Sequence, residues 1–164
     1  PGHSYVEAVG GNPKVVAGPD EYEIADILID GIGTFHDAEH GRIRGKNAVY
    51  LMEIDEVKVC HLGDLGHILT SQQLEELGDV EVLLLPVGGV STINAVAAAE
   101  MVRLLDPKIV IPMHYQTQTV TWLEPIGRFL KEKGLKEVVS LPKLSITRSK
   151  LPTDTRVVVL SYHG

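Results

Sequence analysis

The 164-residue sequence contains a single cysteine, Cys60, so no disulfide can form within the chain and a reducing compartment is its simplest setting. Cys60 itself reads as a buried small hydrophobe. No apolar run approaches the roughly 18 residues that a membrane-spanning helix requires. The opening stretch PGHSYVEAVG has no basic region followed by an apolar one, so neither a signal peptide nor a membrane span is expected, and a cytoplasmic location is. Nor is there a run of Lys or Arg: the net charge of −7 at pH 7 is spread along the chain, which disfavours a general nucleic-acid binder while leaving a small charged substrate open. Also missing are the G-x-S-x-G turn of serine hydrolases, a P-loop and the dinucleotide glycine pattern; GGNPKVVAG and PVGGVS are glycine-rich but fit none of these.

What is there suffices for one domain over residues 1–164, since 44% hydrophobic content supplies a core at this length. The first half reads as strands: KVVA, then EYEIADILIDGIGTF, NAVYLMEI and VKVCHL, with Gly31, Gly33 and the turn-like IDEV giving bends between antiparallel runs. The period then changes. TSQQLEELGD is a helix with a capping box, Thr70 accepting from the amide of Gln73 while Gln73 reaches back, and Gly78 ending it. VEVLLLPVGG is an apolar run suited to a strand covered on both faces. STINAVAAAEMVRLLDP is a helix with Ser91 or Thr92 as N-cap and a stripe of Ile93, Val96, Ala97, Met101 and Leu104 or Leu105, stopped by Asp106-Pro107. KIVIPMHY is a second buried strand. TWLEPIGRFLKEKG is a third helix burying Trp122, Ile126, Phe129 and Leu130, and EVVSL, KLSITR and TRVVVLSY close the chain as short strands. Strands, then strand-helix alternation, then strands predict a mixed, layered α/β domain.

Four ionisable residues stand where apolar strands end or begin: His36 after DGIGTF, Asp64 after VKVCHLG, His114 after KIVIPM, and His3 before YVEAV. A strand fixes the backbone while the following loop frees the side chain, which is how open α/β sheets build sites. Three histidines and one aspartate form a nitrogen and oxygen donor set suited to Zn, Fe or Mn rather than Ca or Mg. In HLGDLGH, Gly63 and Gly66 allow a tight turn around Asp64. By strand alternation His61 points away from Asp64 and is structural, whereas His67, past the turn, can face the site. His40 and His163 read as solvated. VGGVST, ahead of a helix, offers amides that would favour an anionic group.

The succession of His36 in FHD, Asp64 in LGDLG and His114 in IPMHY resembles the third, fourth and fifth motifs of the metallo-β-lactamase-fold hydrolases. It is similar above all to a small Zn-dependent hydrolase branch related to ascorbate-6-phosphate lactonase, and more distantly to RNase Z. The resemblance runs through LLLPVGG with its helix and the LPKLSITRSKLP tail. It implies an αββα sandwich of two mixed sheets, a binuclear metal site at one sheet edge, and hydrolysis of a small ester, lactone or phosphoester by water activated at Zn or a similar metal. Of the family's leading H-x-H-x-D-H motif only the last residue has a counterpart, His3; the aspartate position is Gly2, and the earlier histidines would lie upstream of Pro1 with the opening strands. The resemblance therefore implies the C-terminal portion of the family domain. It also implies His3, His36, Asp64 and His114 as metal ligands, with Asp64 the catalytic bridge and His67 substrate-facing. Fewer than two ions are expected.

Two readings of different classes follow. One is a metal-dependent hydrolase of a small, anionic-compatible substrate. The other is a non-catalytic remnant of the fold acting through association, motivated by the incomplete leading motif. With the opening strands absent, VKVCHL and NAVYLMEI would present an uncovered edge, which predicts a homo-oligomer.

Overall fold

A computed structural model describes residues 9–161. His3 and His163 lie outside the described residues, so the expectations placed on them have no structural counterpart below.

The antiparallel half is built on two-residue hairpins. Strand β1 (Glu21–Ile24) turns through Ala25 and Asp26 into β2 (Ile27–Phe35), and β3 (Lys46–Ile54) turns through Asp55 and Glu56 into β4 (Val57–His61). All four turn residues have positive φ, between 49° and 63°. That is the left-handed pair a type I′ turn needs to match the twist of its strands, adopted here without glycine. The β2–β3 pairing sets Ile32 opposite Val49 and Gly31 opposite Tyr50.

After β4 the chain changes to parallel strands with helical crossovers. Helix α1 (Ser71–Leu77) carries the full capping box of Thr70 and Gln73. It precedes β5 (Val82–Pro86), and α2 (Ala95–Leu105) and β6 (Ile109–Met113) follow. The short α3 (Gly127–Glu132) then leads to β7 (Ser140–Leu141), β8 (Arg156–Val157) and β9 (Val159–Leu160). Seven strands form one sheet in the order β1-β2-β3-β4-β5-β6-β8, antiparallel as far as β4 and parallel beyond it. β7 and β9 form a separate two-stranded parallel pair. The large sheet is mixed, as expected. Of the expected second mixed sheet, the described residues show only this pair.

Alternation along each strand divides the residues between two faces. Val49, Cys60, Leu83 and Val110 project to the side covered by the helices and meet Leu77, Ala98, Met101 and Phe129 in the main core. Burial holds the Cys60 thiol up at about 12, so it stays a neutral, unreactive hydrophobe. On the opposite face Val57, Val82 and Ile109 form a smaller cluster, packed by Leu144, Ile146 and Leu151 of the C-terminal segment.

Several expectations are corrected. KVVA is irregular, and Val15 is exposed. The N-cap of α2 is Asn94, whose side chain accepts from the Ala97 amide, not Ser91 or Thr92. The amides of Ser91 and Thr92 instead turn back onto the Gly89 carbonyl, and that of Ile93 donates to Leu65, so the helix starts one turn later and none of the three is left for an anion. KLSITR supplies apolar cover without forming a strand. β3 and β4 are interior strands, each paired on both sides, so the uncovered edge expected there does not exist.

Candidate functional site

The C-terminal ends of β2, β4 and β6 lie on the same margin of the sheet, and each delivers one expected residue there. His36 follows directly after β2, with its amide donating to Gly45. The loop beyond it is wound around one carboxylate: Asp37, 4% exposed, accepts from the amides of Glu39 and Gly41 on one oxygen and of Ile43 and Arg44 on the other. Burial raises the Asp37 pKa, but the four amides outweigh it and bring it down to about 2. An ionised anchor therefore fixes the loop that holds His36.

Asp64 is positioned by Asn47 of β3. The Asn47 side-chain oxygen accepts from the Asp64 amide at 2.9 Å, while its nitrogen donates to Thr34 Oγ1 and the Leu62 carbonyl. Both flanking glycines are required by close approach. A Cβ on Gly63, which has φ +59°, would meet Asn47 Oδ1 at 2.5 Å, and one on Gly66 would run into the backbone of His36 and Asp37. HLGDLGH is thus packed against the His36 loop rather than being a free surface turn.

His114 follows β6 with φ 50°, an uncommon conformation for a side chain of this size. Its Nε2 lies 3.3 Å from Ser91 Oγ, and its ring meets Trp122 edge-on at 6.1 Å. Gly88 packs so closely on the His114 carbonyl that no Cβ would fit.

His114 senses both of the others. His36 Nε2 lies 3.9 Å from Asp64 Oδ2 and is the one described buried side-chain polar atom without a hydrogen-bond partner. Burial lowers the pKa of His114, Asp64 pulls it back up, and His36 pushes it down again. Neutral imidazole is the form that can donate a lone pair to a metal.

His61 is the residue that sequence reasoning missed. It was expected to point away from Asp64, yet it lines the same trench of about 800 Å³ as Asp64 and His114. Pairing with Tyr50 and Leu84 sets it on the face opposite Cys60, and the left-handed turn at Gly63 brings Asp64 back to that side. Alternation was a sound guide to His61, but it could not be continued across the glycine to Asp64. The Gly63 amide donates to His61 Nδ1 at 3.0 Å, leaving Nε2 as the proton-bearing nitrogen. Burial lowers the His61 pKa, with Asp64 opposing. His67 differs from expectation in the other direction. The Phe35 amide donates to its Nε2 at 3.2 Å and its Nδ1 lies 2.9 Å from the Ile68 carbonyl, so both ring nitrogens are used by the main chain. It braces the end of β2 and has no nitrogen left for a substrate. His40 is exposed, as expected, its ring against Phe35.

A mixed α/β sheet with histidine and aspartate delivered at the strand ends is a framework on which metal sites are built. The chain belongs to the family of the Beta-lactamase superfamily domain, which matches residues 1–114. A metal-dependent hydrolase of Thermococcus onnurineus is 37% identical over 123 residues, 74% of this chain and 54% of the relative. A metal-dependent hydrolase of Pyrococcus furiosus is 35% identical over 140 residues, 84% of this chain and 59% of the relative. The chain thus spans little more than half the length of these relatives. Among solved structures, a candidate Zn-dependent hydrolase of the metallo-β-lactamase superfamily from Thermotoga maritima has 38% identity and a TM-score of 0.77. The match covers 97% of this chain and 77% of that one. A candidate metal-dependent hydrolase from Parabacteroides distasonis, at 20% identity and a TM-score of 0.58 over 90% of this chain and 58% of that one, shares the fold.

The family implies a metal, and the donor chemistry fits one: two imidazoles and a carboxylate, with the orphaned His36 Nε2 facing the carboxylate. Among the described residues, no three His, Cys, Asp or Glu side chains stand close enough to hold an ion as they are placed.

Proposed function

We propose that this chain carries part of the metal site of a hydrolase acting on a small ester, lactone or phosphoester, with His36, Asp64 and His114 as ligands, and with His3 as a further ligand outside the described residues. The observation that carries this reading is the buried His36 Nε2, unpartnered and 3.9 Å from Asp64 Oδ2. Leaving a buried imidazole nitrogen unpaired costs about 1–3 kcal/mol, a cost that a ligand for the nitrogen removes. Zn is the ion proposed, with Mn or Fe as the competitors that a nitrogen and oxygen donor set also accepts. When bound, such an ion supplies Lewis acidity and lowers the pKa of water toward neutrality.

The chain's own residues have distinct tasks. His36 and His114 would offer imidazole nitrogens and Asp64 a carboxylate, Asn47 and Ser91 orient Asp64 and His114, and His61 presents an N–H to the trench. Lys46, which also lines the trench, supplies positive charge for an anionic substrate. A second copy of the chain is the partner proposed.

Elemental analysis after Zn²⁺ loading and desalting tests the reading. Measurable Zn²⁺, below two equivalents, is expected in the chain, and none in Asp64→Ala. A second reading, a non-catalytic remnant of the fold, is favoured by the lack of a preassembled three-ligand cluster among the described residues. Failure of the unmodified chain to retain Zn²⁺ would decide for it.

A further inference from the structure

The margin around His114 carries apolar side chains that the core does not use. Trp122, the chain's only tryptophan, was expected in the buried stripe of the third helix, but it lies ahead of α3 and is 60% exposed, its ring edge-on to His114. Val90, also 60% exposed, sits at the tip of the 87–92 loop with φ 60°, a left-handed conformation that a β-branched residue rarely adopts. The surroundings over-determine this conformation. Gly88 is pressed on the His114 carbonyl, Gly89 lies against the Glu124 carboxylate, the Glu124 amide donates to Gly88, and Arg44 donates to the Val90 carbonyl at 3.1 Å. An aliphatic side chain is thus held rigidly in water, in a strained conformation, by the same loop that places Ser91 on His114. Strain of this kind persists where structure around it imposes it, and it gathers at ligand-binding positions.

We propose that Val90 and Trp122 form the specificity rim of the site, and that they receive an aromatic or branched apolar group attached to the scissile bond. The substrate class narrows to esters, lactones or phosphoesters with such an arm. A macromolecular partner does not fit, because a stable interface buries about 800 Å² per partner and these are two side chains, one against the His114 ring and one next in sequence to its Ser91 partner. An aromatic ring suits the exposed indole, which offers a broad apolar surface with few rotamers to freeze. The inference rests on the metal-site reading above, since it takes His114 to mark the place of the reacting bond.

Having one tryptophan makes the test direct, because all the indole emission reports on Trp122. The chain is titrated with phenylacetate and with acetate, two carboxylates that differ only in the ring, and Trp122 emission is followed with Zn²⁺ present. Phenylacetate is expected to give a saturable change with a Kd about ten-fold below that of acetate, the ratio that about 1.4 kcal/mol of ring burial confers. Val90→Ser should weaken phenylacetate about five-fold and leave acetate unchanged. Equal affinities for the two acids, or an unchanged ratio in Val90→Ser, would overturn the rim. Zn²⁺ retention by the same sample, read with a chromophoric chelator, separates the two ideas: retained Zn²⁺ without ring discrimination removes the rim alone, whereas discrimination without Zn²⁺ removes the metal reading.

Discussion

The two faces of the seven-stranded sheet are made by the same strands and have different fates. On one face Val49, Cys60, Leu83 and Val110 are fully covered by α1, α2 and α3. On the other Ile29, Tyr50, Met52, Val59, Leu84 and Ile111 are only half-buried. The C-terminal segment covers part of this second face and leaves the trench that ends at His61, Asp64 and His114. Stability is therefore concentrated on the helical side, and the chemistry-bearing groups lie at the margin of the less covered one.

The largest expected effect tests that division. Phe129 is fully buried in the helical-side core, and Phe129→Ala should lower unfolding free energy by about 3–5 kcal/mol in denaturant titration. Met52→Ala, on the other face, should cost far less. Comparable losses for the two would end the comparison.

A second prediction concerns the margin between the faces. Because a Cβ on Gly88 collides with backbone at His114, Gly88→Ala should destabilise by about 1–3 kcal/mol and also weaken Zn²⁺ retention. A variant that loses stability but keeps its Zn²⁺ would show that His114 is not positioned by that contact.

The third effect is on pH. The Asp37 carboxylate titrates near 3.8 when unperturbed and about 2 in the fold, so the folded state favours its ionised form. Its contribution is fully present above about pH 4 and is lost as pH falls toward about 2. Hydrogen exchange should therefore show the amides of Glu39, Gly41, Ile43 and Arg44 losing protection across that window, with Asp37→Asn already unprotected at neutral pH. Protection that persists at pH 2 would mean the amides are held by other contacts.

Legibility from sequence followed whether a feature was local. The capping box of α1, the buried strands β5 and β6, and the placing of His36, Asp64 and His114 at strand ends depend on residues within a few positions, and the structure shows each. The misreadings involve distant partners. His67 is taken up by Phe35, thirty-two positions away, and Trp122 is exposed because α3 starts only at Gly127. Asn47 showed no signal at all, since its role depends on Asp64 being brought beside it across a strand pair. The pull of three separated loops around one imidazole likewise has no local trace.

The smallest effect concerns the half-covered face itself. The sheet edges do not invite pairing: β1 is short and carries Glu21 and Glu23, and β8 has two residues, so charge and brevity protect both ends. Association of copies, if it is through this sheet, must be face to face, over Ile29, Tyr50 and Met52. Met52→Ser, measured at low concentration where copies are separate, should then change stability by no more than about 0.5 kcal/mol. At higher concentration the same face should matter more. Light scattering over a dilution series is expected to show apparent mass falling toward that of one chain, with Met52→Asp moving the transition to higher concentration by burying a charge at the contact. A mass that is constant on dilution and indifferent to Met52→Asp would remove the second copy as the occupant and leave the half-covered face to solvent or to another partner.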